Sequence, residues 1–247
     1  MVQRAVVVAV TSGGGVACVS SGVPHLSALA TDFDGTLAHH ETVSAETIAA
    51  LQRLKTSGFK LILITGRELN ELMGIFPELS LFDLAVMENG AMLYEPSSRG
   101  IKLLGEPPPG DFIGRLHDSG IPLQVGRVIV ATWEQHTAEV VDAVRNSALP
   151  LQIIYNKDAV MILPKGINKA SGLHVAVTEL GLTPLQVVGV GDAENDEPFL
   201  KICGFSVAVA NALPTVKDQV DLVTTAGHGD GVSELIHHLL SQPETFR

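Results

Sequence analysis

The chain has 247 residues, 46% of them hydrophobic and 17% charged, a globular composition that allows a sizeable core and excludes a disordered or fibrous protein. Its 27 acidic residues against 16 basic give a formal net charge of -11, and without any Lys/Arg run it lacks the clustered positive charge that binds nucleic-acid backbones. Cys18 and Cys203 stand in no disulfide or metal-ligand spacing, and no apolar run approaches the roughly 18 residues of a membrane span, so we expect a cytoplasmic protein with neither nucleic acid nor membrane as partner.

Residues 1–24 read as an N-terminal extension. Their short apolar stretch is broken by "TSGGG", which argues against a signal peptide, and no GK[ST] follows to make a phosphate loop. From residue 26 apolar β-runs alternate with helical patterns, the sign of parallel βαβ units. "LSALATD" is the first strand. Ser44 N-caps a helix through "AETIAALQRLKTS", with Ile48, Leu51 and Leu54 on one face and Gly58 as its stop. "FKLILIT" is a strand covered on both faces, "GRELNELMGIF" a helix and "FDLAVMENG" a third strand.

There the rhythm changes. "AMLYEPSSRGIKLLG" reads as a hairpin and "EPPPGD" as a stiff linker; then come helix "DFIGRLHDSG", strand "GRVIVATW", helix "EQHTAEVVDAVRNSA" and the strand pair "LQIIYN" and "AVMILP". After "PKGIN" the parallel pattern resumes with helix "KASGLHVAVTELG", strand "QVVGVGD", helix "DEPFLKICG", strand "FSVAVAN", strand "DLVTT" and helix "GVSELIHHLLS". The fold class is α/β: a doubly wound, parallel-sheet, Rossmann-like core made of 25–90 and 164–247, with an inserted α+β cap and its linkers over 91–163.

In open α/β sheets ligands gather at the carboxyl ends of the strands. Asp32, Asp34, Gly35 and Thr36 follow the first strand, and Thr65, Gly66 and Arg67 the second. Lys165 and Lys169 stand at the return from the insert, and Asp192, Asn195 and Asp196 follow "QVVGVG". Carboxylates collected on one rim repel unless a cation joins them, and hard oxygen ligands suit Mg²⁺. Two carboxylates one residue apart can serve one substrate, the first attacking a phosphoryl group and the second protonating its leaving oxygen.

"DFDGT", the Thr of "LILITGR", the Lys of "INKASGL" and "GDAEND", in that order, resemble the haloacid dehalogenase superfamily of phosphohydrolases. With "ENGA" and the placement of the insert, the chain is similar to the Cof-like, type IIB subgroup with a C2 cap. The resemblance implies Asp32 as the nucleophile that forms an aspartyl-phosphate, and Asp34 as general acid and then base. It implies Mg²⁺ held by Asp32, the Asp34 carbonyl and Asp192, with Asp196 in support. Thr65, Gly66, Lys169 and Asn195 would bind the phosphoryl group of a small phosphorylated metabolite, a sugar phosphate or a phosphoglycolate-like acid. Lys169 fits the family's lysine better than Lys165, because it opens the helix that re-enters the core.

A phosphomutase shares these motifs. A phospho-acceptor signalling domain is a more distant alternative, with its acidic, Thr and Lys residues in a different order. Arg67 stays open between helix capping and the site, Asn89-Gly90 reads as a tight turn near the hinge, Trp133 as a core residue before a sugar platform, and the histidines as surface or capping residues.

Overall fold

The structure is a computed structural model describing residues 25–156 and 158–241; the N-terminal extension and Cys18 lie outside the described residues. Strands β1 (Ala28–Asp32), β2 (Lys60–Ile64) and β3 (Leu84–Met87) alternate with helices α1 (Ala45–Thr56) and α2 (Leu69–Ile75). A hairpin follows, β4 (Met92–Glu95) and β5 (Gly100–Leu103). The inserted module contains α3 (Gly110–Asp118), β6 (Gln124–Val125), β7 (Val130–Trp133), α4 (Thr137–Ser147), β8 (Leu151–Asn156) and β9 (Ala159–Pro164). The chain then runs through α5 (Lys169–Glu179), β10 (Val187–Gly191), α6 (Glu197–Leu200), β11 (Phe205–Ala208), α7 (Pro214–Lys217), β12 (Leu222–Val223) and α8 (His228–Ser241).

Eight strands form the main sheet in the order β12-β11-β10-β1-β2-β3-β4-β5, parallel from β12 through β3. β1 lies inside the sheet between β10 and β2, and all five of its residues are buried, which is why "ALATD" is apolar up to its last position. Ser44 caps α1 by accepting the Thr47 N–H at 3.1 Å, and Gly58 leaves the helix at φ 101°. α1 packs on α8 and α5 on α6, and one large apolar cluster spans both the sheet and these helices.

The 91–163 boundary for the insert needs correction. Gln124 to Pro164 do build a separate four-stranded sheet, β6-β7-β9-β8, with its own apolar cluster around Phe112, Leu116, Val130, Val140 and Ile162. The hairpin, however, belongs to the main sheet: β4 pairs antiparallel with β3 and β5 with β4. The chain reverses at Glu88-Asn89-Gly90, so Met92, Leu93 and Tyr94 bury themselves in the main core. The strand expected over 126–133 also starts late, at Val130, because residues 126–129 form a turn closed by Gly126 N–H to the Ile129 carbonyl at 2.9 Å. Trp133 is 60% exposed on the inserted sheet and is no core residue.

Gly90 sits at φ 105°, and a Cβ there would lie 2.0 Å from the Asn168 carbonyl oxygen. Gly90→Ala is therefore expected to cost about 2 kcal/mol or more, from left-handed strain together with a backbone clash. Gly74→Ala, on α2 with open space around it, should be neutral or stabilise by up to about 1 kcal/mol. Urea unfolding midpoints of the two variants test the contrast.

Candidate active site

Parallel pairing of β1 with β2 and β10 brings three loops to one end of the sheet. Asp32 is the last residue of β1, Thr65 follows the last residue of β2, and Asp192 follows β10. The fourth contribution is α5. Asn168 and Ser171 form a capping box there, with Asn168 Oδ1 accepting the Ser171 N–H at 3.0 Å and Ser171 Oγ accepting the Asn168 N–H at 3.0 Å.

That box makes Lys169 the first residue of α5, an unfavourable place for a cation because the helix dipole is positive there. Two carboxylates offset this. Lys169 Nζ donates to Asp32 Oδ1 at 2.6 Å and to Asp196 Oδ1, and all three side chains are buried. Burial alone would lower the Lys169 ammonium's pKa, but Asp196 and Asp32 reverse that and hold it above the ordinary lysine range. Asp32 moves up as well: burial and the charge of Asp196 raise its carboxyl well above the usual range, Asp192 adds to the rise, and Lys169 opposes it. Three carboxylates around one ammonium leave an excess of negative charge.

Asp32, Asp192 and Asp196 each offer an oxygen within 4.8 Å of the others, a hard donor set that fits a small divalent cation. Asp196 is oriented by its own loop, with Oδ2 accepting the N–H groups of Asp192 and Ala193 at 2.8 and 3.0 Å. Thr36 donates its hydroxyl to Asp192 Oδ1 at 2.9 Å. Asn195 is buried, and its Nδ2 donates to Asn89 Oδ1 at 3.2 Å; Asn195 Oδ1 and Asn89 Nδ2 have no hydrogen-bond partner among the described residues. Thr65 is buried, and its Oγ1 accepts the Arg67 N–H at 3.1 Å, which leaves the hydroxyl hydrogen to donate elsewhere.

Asp34 stands apart from the cluster. Its carboxylate takes a two-pronged contact from Arg67, Nε to Oδ2 at 2.7 Å and Nη2 to Oδ1 at 2.8 Å. Arg67 also reaches Glu41 and Glu71. Burial works against the guanidinium's charge, but Asp34, Glu41 and Glu71 together hold it protonated more firmly than usual. Beyond Asp34 the loop is fixed from behind: Asn211 Nδ2 and His228 Nδ1 both donate to the Gly35 carbonyl, at 2.7 and 3.0 Å.

A cavity of about 200 Å³ opens over these groups. Asp32, Asp34, Gly66, Arg67, Glu68 and Glu71 line it from the main sheet, and Gln124, Ile129, Ala131, Asn156, Ala159 and Met161 from the inserted one. The expected residues Asp32, Asp192, Asp196 and Lys169 are thus in mutual contact, Gly66 and Asp34 line the cavity, and Thr65 and Asn195 are buried beside it. Lys165 is not among the partners of the cluster. The sequence reading missed Arg67 as a partner of Asp34, although its place directly after Thr65-Gly66 at a strand end was a signal. It also missed Glu88, a buried carboxylate in an otherwise apolar stretch.

The model of the haloacid dehalogenase-like hydrolase family matches residues 29–102 and 124–236. The chain is 28% identical over 222 residues to a phosphoglycolate phosphatase of Methanothermobacter thermautotrophicus, covering 87% of this chain and 99% of the relative. It is also 28% identical to phosphoglycolate phosphatase 2 of Saccharolobus solfataricus, over 86% of this chain and 92% of that one. Among solved structures, a Thermoplasma acidophilum protein has a TM-score of 0.76 at 16% identity, covering 87% of this chain and 98% of the other. The subclass IIB sugar phosphatase BT4131 has a TM-score of 0.70 at 20% identity, covering 86% and 98%. These last two similarities concern the fold. With its four motifs inside the matched segments, the chain belongs to the haloacid dehalogenase-like hydrolases.

Proposed function

We propose that this chain is a Mg²⁺-dependent phosphatase that hydrolyses a small phosphorylated acid of the phosphoglycolate type through an aspartyl-phosphate on Asp32. The carrying observation is the buried Asp32 carboxylate, held by Lys169 at the floor of a cavity of about 200 Å³. That volume lies below the roughly 300–1,000 Å³ of sites for larger ligands. Arg67 is the one cation among the described residues lining the cavity, and an anionic leaving group would take it by replacing Asp34, Glu41 or Glu71. The names of the relatives point the same way.

Asp32, Asp192 and Asp196 would hold the metal, which when bound neutralises charge on the phosphoryl oxygens. The Asp32 carboxylate attacks phosphorus, the bond from phosphorus to the ester oxygen breaks, and Asp34 gives that oxygen a proton. Asp34 then takes a proton from water, whose oxygen attacks phosphorus and releases Asp32 and inorganic phosphate. Lys169 and Thr65 hold phosphoryl oxygens as charge builds, and Asn195 adds an amide beside them. A protonated carboxyl accepts only one of the two bonds from Arg67, so Asp34 must turn from Arg67 toward the leaving oxygen to act as an acid. The inserted sheet lines the other side of the cavity, and its closure over bound substrate would keep water out of the first step.

A sugar phosphate is the second reading. A groove of about 230 Å³ beside Trp133 shares Gln124, Ala131 and Ala159 with the cavity and offers an apolar extension for a larger leaving group. Phosphate release from a panel containing phosphoglycolate, sugar phosphates and an aryl phosphate, with and without Mg²⁺, decides between them. Release that needs no Mg²⁺, or that survives in Asp32→Asn, would sink the mechanism.

Asp34→Asn should lower kcat on both substrates, because Asp34 also activates the water, but should lower kcat/KM by about 10²–10⁴-fold for the metabolite and much less for the aryl phosphate, whose leaving group needs little protonation. Equal losses of kcat/KM on both substrates would remove Asp34 from the acid role. Lys169→Met strips the cation from a buried group of carboxylates and should destabilise the metal-free protein by about 3–5 kcal/mol. Thermal unfolding with and without Mg²⁺ should show the metal restoring part of that loss.

A further inference from the structure

Glu88 belongs to the main sheet, yet its carboxylate serves the inserted module. Following β3, it is 1% exposed, and Oε1 accepts the Arg127 N–H at 2.9 Å while Oε2 accepts those of Val128 and Ile129 at 2.8 and 2.9 Å. A buried carboxylate with three backbone donors is satisfied without a cation. The receiving turn is shaped for it. A Cβ on Gly126 would lie 2.8 Å from Ile129 Cγ2 and 2.9 Å from the Glu88 carboxylate carbon, so a larger residue there would displace both the acid and Ile129.

The backbone carrying Glu88 is strained. Glu88, Asn89 and Gly90 have φ 50°, 56° and 105°, three left-handed residues in succession of which only the last is glycine. Each meets a different part of the site. Glu88 holds the 127–129 turn, Asn89 accepts the Asn195 amide, and Gly90 presses against the Asn168 carbonyl that opens the helix of Lys169. Ile129 lines the cavity with Asp32, and Ala91, Val128, Ile129, Met161 and Leu163 pack into an apolar seam behind the turn.

We propose that Glu88 is a positioning residue that seats the inserted module over Asp32 by anchoring the 127–129 backbone to the main sheet. It lies outside the cavity lining and acts through Ile129 and the module that Ile129 belongs to. Its effect on turnover rests on the phosphatase reading, whereas the anchoring does not.

The test uses the full chain as native protein, Glu88→Ala, Glu88→Gln and Gly126→Ala, the last displacing the carboxylate from the opposite side should the Glu88 variants fail to fold. Hydrogen exchange is followed at residues 127–129 and, as a reference, at β1 and β2. Kinetics are compared on phosphoglycolate and on an aryl phosphate. Exchange at 127–129 should rise roughly tenfold or more in Glu88→Ala and Gly126→Ala, less in Glu88→Gln, which keeps one acceptor oxygen, with β1 and β2 unchanged. kcat/KM should fall roughly tenfold or more for the metabolite and less for the aryl phosphate, which needs less from the roof. Unchanged exchange at 127–129 overturns the proposal, as does equal loss on both substrates with faster exchange in β1 and β2. If the native protein releases phosphate from neither substrate, the phosphatase reading falls while the exchange data still decide the anchor.

Discussion

The buried ammonium of Lys169 between Asp32 and Asp196 is the contact on which the site depends. It joins the middle of the main sheet, the loop after β10 and the first residue of α5, with Asp32 137 positions before Lys169 in the chain and Asp196 27 after it. Ion pairs this deep are poor stabilisers compared with well-packed apolar residues, because both charges lose their hydration. Here the balance is worse still, with Asp192 as a third carboxylate beside a single cation. The fold carries this arrangement because β1, β2 and β10 are buried, apolar and parallel around it. The surplus negative charge is what a divalent cation would neutralise.

A second group of charges sits at the cavity wall and obeys a different rule. Arg67 faces Asp34, Glu41 and Glu71, all of them more exposed than the Lys169 cluster. Solvent weakens each of these pairs, so their exchange for substrate contacts costs far less than disturbing Lys169 would. The division suits the chemistry assigned to each aspartate. In the proposed mechanism Asp32 stays in place through attack and release, and it is locked, whereas Asp34 changes partners, and it is held by more exposed contacts.

Much of this was legible in the sequence because the residues concerned report on their own strand or helix. The apolar run ending at Asp32, the Ser44 cap, the Gly58 stop and Lys169 opening α5 are local patterns, and the structure has all four. What escaped depends on partners remote in the chain. The pattern "AMLYEPSSRGIKLLG" announces a hairpin but not the sheet it joins, which is set by the left-handed reversal at residues 88–90. "GRVIVATW" has the periodicity of one strand, yet its first residues turn aside because a carboxylate about 40 positions earlier binds their amides. Trp133 reads as core by type, but it ends β7 on the same face as Ala131, beyond the apolar seam, and lines the groove beside the cavity.

The way the two sheets meet also divides their tasks. Among the described residues, every charged side chain lining the cavity comes from the main sheet and its loops, while the inserted sheet supplies Gln124 and Asn156 amides and apolar Ile129, Ala131, Ala159 and Met161. Phosphoryl chemistry can therefore stay with the main sheet while the roof discriminates by shape and by neutral hydrogen bonds. Anchoring through Glu88 fits this division, because it engages only main-chain N–H groups and asks one glycine of the module, Gly126. Side chains elsewhere on the roof are then free to change with the leaving group while the module keeps its seat over Asp32.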